Sequence, residues 1–181
     1  MHGSVLRFLQ ECLSPAEVAG KRVLEVGSYD VNGSPRSVIE PLGPKSYLGV
    51  DSSEGPGVDR AMNAELLTAH LGCDAFDLVV STELLEHVVD WRRIVSEMKK
   101  AVKPGGLLVL TTRSPGFPYH PYPIDTWRYT KEDFEVIFSD LERLAILSDP
   151  EVPGVFLKAR KPERFVENDL SEVSVPMVTK P

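Results

Sequence analysis

The chain's 181 residues suit one domain with a substantial core, and 42% hydrophobic and 26% charged content is ordinary for a globular protein. A net charge of −7 weighs against any function that relies on gripping a phosphate backbone. The two cysteines, Cys12 and Cys73, are too few for a disulfide framework or a zinc cluster, and read as buried thiols in a reducing compartment. No apolar run reaches membrane-spanning length, and Arg7, Gln10 and Glu11 interrupt the N-terminal stretch, so neither a membrane span nor a signal peptide is expected. The expectation is a cytoplasmic protein.

Val5, Leu6, Leu9, Cys12 and Leu13 recur at helical spacing and predict a helix over 4–13. Ser14-Pro15-Ala16-Glu17 is a capping-box pattern that predicts a further helical turn before Gly20. A strand over Arg22–Val26 stops at Gly27 and opens into a polar loop with Asp30, Asn32 and Gly33. Ser34-Pro35 then starts a short helix to Glu40, which Pro41 and Gly43-Pro44 end. Strand, glycine turn and helix start are the parts from which an open α/β sheet makes a ligand crevice.

Tyr47–Val50 is a buried strand ending at Asp51, 54–57 a loop, and Val58–Met62 a short third strand. A helical segment at 65–71 precedes a strand over Phe76–Ser81 and a largely helical stretch over Glu83–Lys100, with a break near Val88–Trp91. Lys103–Gly106 is a turn before an apolar strand over Leu107–Thr112. A loop rich in proline and aromatics, 114–129, leads to a helix capped by Thr130 and running to Phe138. Strands near Leu141–Leu147 and Val155–Arg160 close the domain, and their connection of about six residues is too short for a helical crossover. Alternating strands and helices thus predict an α/β fold, a mainly parallel sheet covered on both faces with its last strand antiparallel. The single domain spans 1–161, and 162–181 reads as a polar, mobile tail.

Asp51 ends the second strand, where an acid accepts hydrogen bonds from a ribose diol; the alternative is a turn cap with Ser52 and Ser53. Asn63-Ala64 suits an adenine edge or, more simply, a helix N-cap. Glu83, Glu86 and His87 fall at i, i+3 and i+4, which would put all three on one helical face. Three readings compete for them: a structural group with His87 bonded inside and Glu86 solvated, a general base at His87, or an incomplete metal set. His120, Tyr122, Asp125, Trp127 and Arg128 lie in the aromatic loop, which suits a lid over the crevice, although Trp127 and Tyr129 equally suit packing onto the sheet.

These residues resemble the class I S-adenosylmethionine-dependent methyltransferases, specifically their type-11-like group. The likeness covers residues 20–160 and rests on Val23–Gly27, Gly49-Val50-Asp51, Phe76–Ser81, Leu85–Val88, Lys103–Leu108 and Asp125–Thr130. The resemblance implies a Rossmann-like seven-stranded sheet and S-adenosylmethionine as cofactor. It places Glu25 and Gly27 at the methionine part, with Ser28 and Tyr29 beside them. Asp51 and Ser52 would meet the ribose, Asn63 and Ala64 the adenine, and Ser81 and Thr82 the sulfonium end. Where the family's loop carries alternate glycines, this chain has Tyr29 and Val31, and Asn32-Gly33-Ser34 follows. The Glu-x-x-Glu-His spacing also resembles the metal-binding segment of small-RNA 2′-O-methyltransferases and of a quinone-pathway O-methyltransferase. In the corresponding later position this chain has Asp125, with His120 near it.

The expected function is methyl transfer to a small-molecule oxygen, nitrogen or carbon, with His87 or His120 as base and no metal assigned. Nucleic acid and membrane are not expected partners. The alternatives are a cofactor- or partner-binding protein without transfer activity, and a metal-assisted RNA 2′-O-methyltransferase.

Overall fold

The structure, a computed structural model, describes residues 2–121 and 123–178, so Tyr122 lies outside the described residues. Helix α1 (Gly3–Cys12) buries Val5, Phe8 and Leu9 along one stripe. The turn α2 (Pro15–Val18) carries the expected capping box, with Glu17 reaching back to Ser14. Then come β1 (Arg22–Val26), α3 (Arg36–Ile39), β2 (Ser46–Asp51) and β3 (Arg60–Ala61). Helix α4 (Leu67–Leu71) precedes β4 (Phe76–Thr82), and α5 (Trp91–Ala101) precedes β5 (Val102–Arg113). Helix α6 (Lys131–Ile137) leads into β6 (Glu142–Ser148) and β7 (Gly154–Arg160).

The seven strands form one sheet in the order β3-β2-β1-β4-β5-β7-β6. β1 pairs parallel with β2 and β4, β4 pairs parallel with β5, and β7 runs antiparallel to both β5 and β6. The expected antiparallel last strand is therefore present, inserted between its hairpin partner and β5. Between β1 and β4 the chain reverses its direction across the sheet, and such a reversal leaves a crevice at the strands' carboxyl ends.

Alternation along the strands sends side chains to two cores. Leu24, Val79 and Leu108 meet Trp91, Ile94, Val95 and Met98 of α5 and Phe134 of α6. Val23, Leu78, Val80 and Val109 meet Val5, Phe8 and Leu9 of α1 and Ile39 of α3. Helices thus cover both faces. Among the described residues no helix is long and apolar enough to cross a membrane.

Three expectations need correction. The third strand is only Arg60–Ala61. Cys73 is exposed in the turn after α4, whereas Cys12 is partly buried and its thiol is pushed up to about 12 by burial. The C-terminal segment, as far as it is described (162–178), is not a loose tail. Leu170 and Val175 are buried, Arg92 Nε donates to Leu170 O at 2.9 Å, Arg128 N to Pro176 O at 2.9 Å and Val178 N to Thr126 O at 2.7 Å. Its backbone groups are satisfied by the domain, so few apolar residues suffice to hold it.

Candidate active site

A cavity of about 700 Å³ opens at the carboxyl ends of β1, β2 and β4. Glu25, Gly27, Ser28, Tyr29, Asp51, Ser52 and Thr82 line it, so most expected cofactor residues converge. Asn63, Ala64 and Ser81 are not in its lining. Asn63 is a helix cap, its side chain accepting from Glu65 N at 2.9 Å. Ser81 is buried within β4, its hydroxyl donating to Val26 O at 2.7 Å. The Ser81 hydroxyl is used by the fold, and so is the Asn63 side-chain oxygen, whereas Asn63 itself is exposed.

At the end of β1, Gly27 turns the chain with φ +81°, a conformation that suits glycine. A Cβ there would lie 3.1 Å from Leu84, a tight contact that Leu84 would have to yield to. The loop beyond lacks the alternate glycines but is braced from outside. Asp30 N donates to Pro56 O at 2.8 Å, and Arg36 pairs with Asp59. Gly49 admits the loop closely: a Cβ there would lie 2.8 Å from Ser28 Oγ. The space that alternate glycines give elsewhere comes here from the neighbouring strand.

Asp51 caps its turn and also lines the cavity. Its Oδ1 accepts from Ser53 N at 3.1 Å, capping the turn, and Oδ2 accepts from Tyr29 N at 3.3 Å while the carboxylate lines the cavity. Glu25 is 1% exposed. Burial pushes its carboxyl up to about 7, although the Tyr47 hydroxyl, donating at 2.7 Å, and Ser34 work against the rise. Ser28 Oγ, buried in the lining, has no hydrogen-bond partner among the described residues. It offers a polar ligand an acceptor and a donor, so the residues fit a polar cofactor.

Across the cavity stand His2, Glu83, His87, His120, Pro121 and Pro123. Glu83, Glu86 and His87 do not share a helical face. Glu83 follows β4 with a left-handed φ of +56°, and Leu85–His87 is a single 3₁₀ turn. The helix begins only after Asp90, whose side chain accepts from Arg93 N. Glu83 pairs with Arg113. Glu86 is fully buried rather than solvated; Thr112 Oγ1 donates to its Oε2 at 2.6 Å, and Oε1 has no partner among the described residues. Burial and the nearby Glu83 charge raise its carboxyl.

His87 Nδ1 meets Ile124 O at 2.5 Å; as donor there it leaves Nε2 free to accept a proton. Burial lowers its pKa, only partly offset by that hydrogen bond. The rings of His87 and His120 meet edge to face, 4.8 Å between centroids. Donor atoms of Glu86, His87 and His120 lie within 4.8 Å of one another. Asp125 is not among them. Its carboxylate is gripped by Arg128 at 2.5 and 2.7 Å, and against the effect of burial these bonds hold it at about 2. Trp127 and Tyr129 pack as structural residues, Trp127 donating to Val88 O at 2.8 Å and Tyr129 fully buried. Sequence reasoning missed His2, Glu54 and Leu84 in the lining and Tyr47 behind Glu25. Only Tyr47 carried a signal, an apolar-strand tyrosine in register beside β1.

A doubly wound sheet with glycine ending β1 and an acid ending β2 defines a nucleotide-cofactor protein of the Rossmann-like class. Within that class the chain belongs to the methyltransferase-domain family, which it matches over residues 1–145. It is 34% identical over 116 residues to a ubiquinone biosynthesis O-methyltransferase of Rhizobium etli, covering 58% of this chain. That match spans 46% of the relative, so the chain spans about half the length of the curated relatives it matches. In fold it resembles an S-adenosylmethionine dependent methyltransferase from Mesorhizobium loti, with TM-score 0.63 and 21% identity over 88% of this chain and 98% of the other. It likewise resembles the Burkholderia thailandensis 1,6-didemethyltoxoflavin-N1-methyltransferase, solved with bound 1,6-didemethyltoxoflavin and S-adenosylhomocysteine. There the TM-score is 0.69 at 14% identity, over 88% and 79% of the two chains.

Proposed function

We propose that residues 1–161 bind S-adenosylmethionine and direct methyl transfer to a small, uncharged or weakly charged acceptor in a reducing, cytoplasmic setting. The observation that carries this is one cavity lined by Gly27, Ser28 and Asp51 together with His87 and His120. S-adenosylmethionine would supply the methyl group on a sulfonium, with the thioether S-adenosylhomocysteine as leaving group. Asp51 holds the ribose diol, Glu25 and Ser28 the amino-acid end, and Gly27 lets the backbone come close. The opposite wall orients the acceptor in line with the methyl carbon, and the neutral His87 takes the proton an O–H or N–H acceptor loses. Calorimetry with S-adenosylmethionine tests the cofactor, and absence of binding defeats the reading. Release of S-adenosylhomocysteine across a panel of phenols, catechols, amines and carbon acids tests transfer. Binding without any release would favour the non-catalytic alternative.

A metal-assisted variant is favoured by one observation, the unpartnered Glu86 Oε1 beside His87 and His120. One carboxylate and two imidazoles suit a borderline divalent cation, which would polarise the acceptor oxygen. Running the panel with added divalent metal and with chelator separates the variants. An RNA acceptor fits poorly, since no lysine or arginine lines the cavity among the described residues.

Two further results are expected. Gly27→Ala forces a side chain into a left-handed turn, a strain of about 1–2 kcal/mol, and pushes on Leu84. Affinity for S-adenosylhomocysteine should fall about tenfold by calorimetry; unchanged affinity would remove Gly27 from the site. For Glu25, raised to about 7, the ionised form that holds a ligand ammonium grows as pH rises through 7. S-adenosylhomocysteine should bind roughly tenfold tighter at pH 8 than at pH 6, and Glu25→Gln should flatten the profile. Stability takes the opposite sign: the contribution of the protonated carboxyl is full below its unfolded pKa and is lost as pH rises through 7.

A further inference from the structure

The segments that form the cavity wall opposite Asp51 converge on a side chain that does not face the cavity. Arg113, the last residue of β5, is 0% exposed. Its guanidinium donates through Nε and Nη2 to Glu83, and through Nη1 to Asp149 Oδ2 at 3.1 Å. Nη2 also meets His2 Nδ1 at 2.8 Å. The guanidinium lies 4.7 Å over the Phe117 ring. Phe117 in turn meets His2 and His120 edge to face, at 5.4 and 4.8 Å between centroids. One cation therefore touches the segment before α1, the residue after β4 and the aromatic loop.

We propose that Arg113 is a positioning residue for the side of the cavity where the methyl group is delivered. It fixes the Glu83 carboxylate and the His2 ring in the wall and seats Phe117, against which His120 rests. The left-handed backbone at Glu83 is strained for a non-glycine residue and persists where its surroundings over-determine it. Arg113 and Thr111 Oγ1, donating at 3.1 Å, do that from the two sides of the carboxylate. Ser4 Oγ, donating at 2.9 Å to the same Asp149 that Arg113 holds, ties the start of α1 into the cluster. Lysine, a single point charge, does not replace a planar fork that serves three partners and stacks on a ring. This inference rests on the methyltransferase reading above.

The test compares wild type, Arg113→Lys and Glu83→Gln in calorimetry with two probes. S-adenosylhomocysteine has a neutral thioether at the reacting position, and sinefungin carries an amine there. Both variants should keep S-adenosylhomocysteine affinity within about twofold and lose about tenfold in preference for sinefungin over it. In ring proton spectra of the four histidines, His2 and His120 should shift in Arg113→Lys, with exposed His70 as the unchanged internal reference. Equal weakening of both probes, or no change in their ratio, overturns the proposal, because a purely structural arginine would act on both alike. If Arg113→Lys does not fold, Glu83→Gln decides by the same ratio. If the wild type binds neither probe, the methyltransferase reading itself fails and the inference with it.

Discussion

Turnover of a chain carrying both His87→Ala and His120→Ala is expected to fall by about 10²–10⁴-fold, the usual range for a positioned proton acceptor, with S-adenosylhomocysteine affinity kept within about twofold. The geometry assigns the two imidazoles unequal parts. His87 is fixed by Ile124 O at 2.5 Å, which sets its tautomer, and burial keeps it neutral near pH 7. His120 stands against it, with Asp125 Oδ2 at 3.0 Å from Nδ1 and the same carboxylate accepting from its backbone N at 2.8 Å. The anionic Asp125 works against the burial that lowers the pKa of His87. Because the rings touch, the single variants should not add: losing either one disturbs the other. Undiminished turnover of the double variant on a turned-over acceptor would remove both as base. If divalent metal proves necessary for the wild type, the same loss would instead report missing ligands, and the chelator arm distinguishes the two.

Lys99→Met is expected to lower stability by about 3–5 kcal/mol, the cost of stranding a buried partner charge. Lys99 is fully buried on α5 and all three of its donors are used: Ile137 O at 2.6 Å, Asp140 at 2.8 Å and Asn168 Oδ1 at 2.9 Å. Its ammonium lies 5.3 Å over Phe138. The side chain thereby joins α5, the end of α6 and the C-terminal segment. Replacement leaves Asp140, whose side chain is 2% exposed, without its cation. For a domain of this size a midpoint fall of about 10 °C should follow in a thermal melt. Lys99→Met with Asp140→Asn should recover much of it, since removing both charges removes the stranded one. A fall below about 2 °C in the single variant would mean that water reaches Asp140.

Much of the fold was legible from the chain because its signals are local. The strand ending at Gly27, the capping boxes at Ser14 and Thr130, the apolar run at 107–112 and the short β6–β7 connection each depend on neighbours in sequence. Periodicity, caps and connection length are enough to fix element type and strand direction. Gly27 and Asp51 were readable for the same reason: a strand end is a position in sequence as well as in space.

Where a side chain's partner lies far along the chain, only the tertiary structure decided its role. The spacing of Glu83, Glu86 and His87 suited a helix, but Glu83 pairs with Thr111 and Arg113 on β5, Glu86 with Thr112, and His87 with Ile124 O in the aromatic loop. Nothing near Lys99 in sequence marks it as buried; Asp140 and Asn168, far along the chain, close over it. The last described residues look polar and mobile until Thr126, Arg128 and Arg92 satisfy their backbone. The sequence by itself determined the sheet, its two apolar faces and the strand ends that make the cofactor cavity, because hydrophobic pattern and turn chemistry act over a few residues. The tertiary structure alone decided which polar groups are buried and what each one faces, because a buried charge or hydrogen bond is defined by its partner and that partner is set by topology.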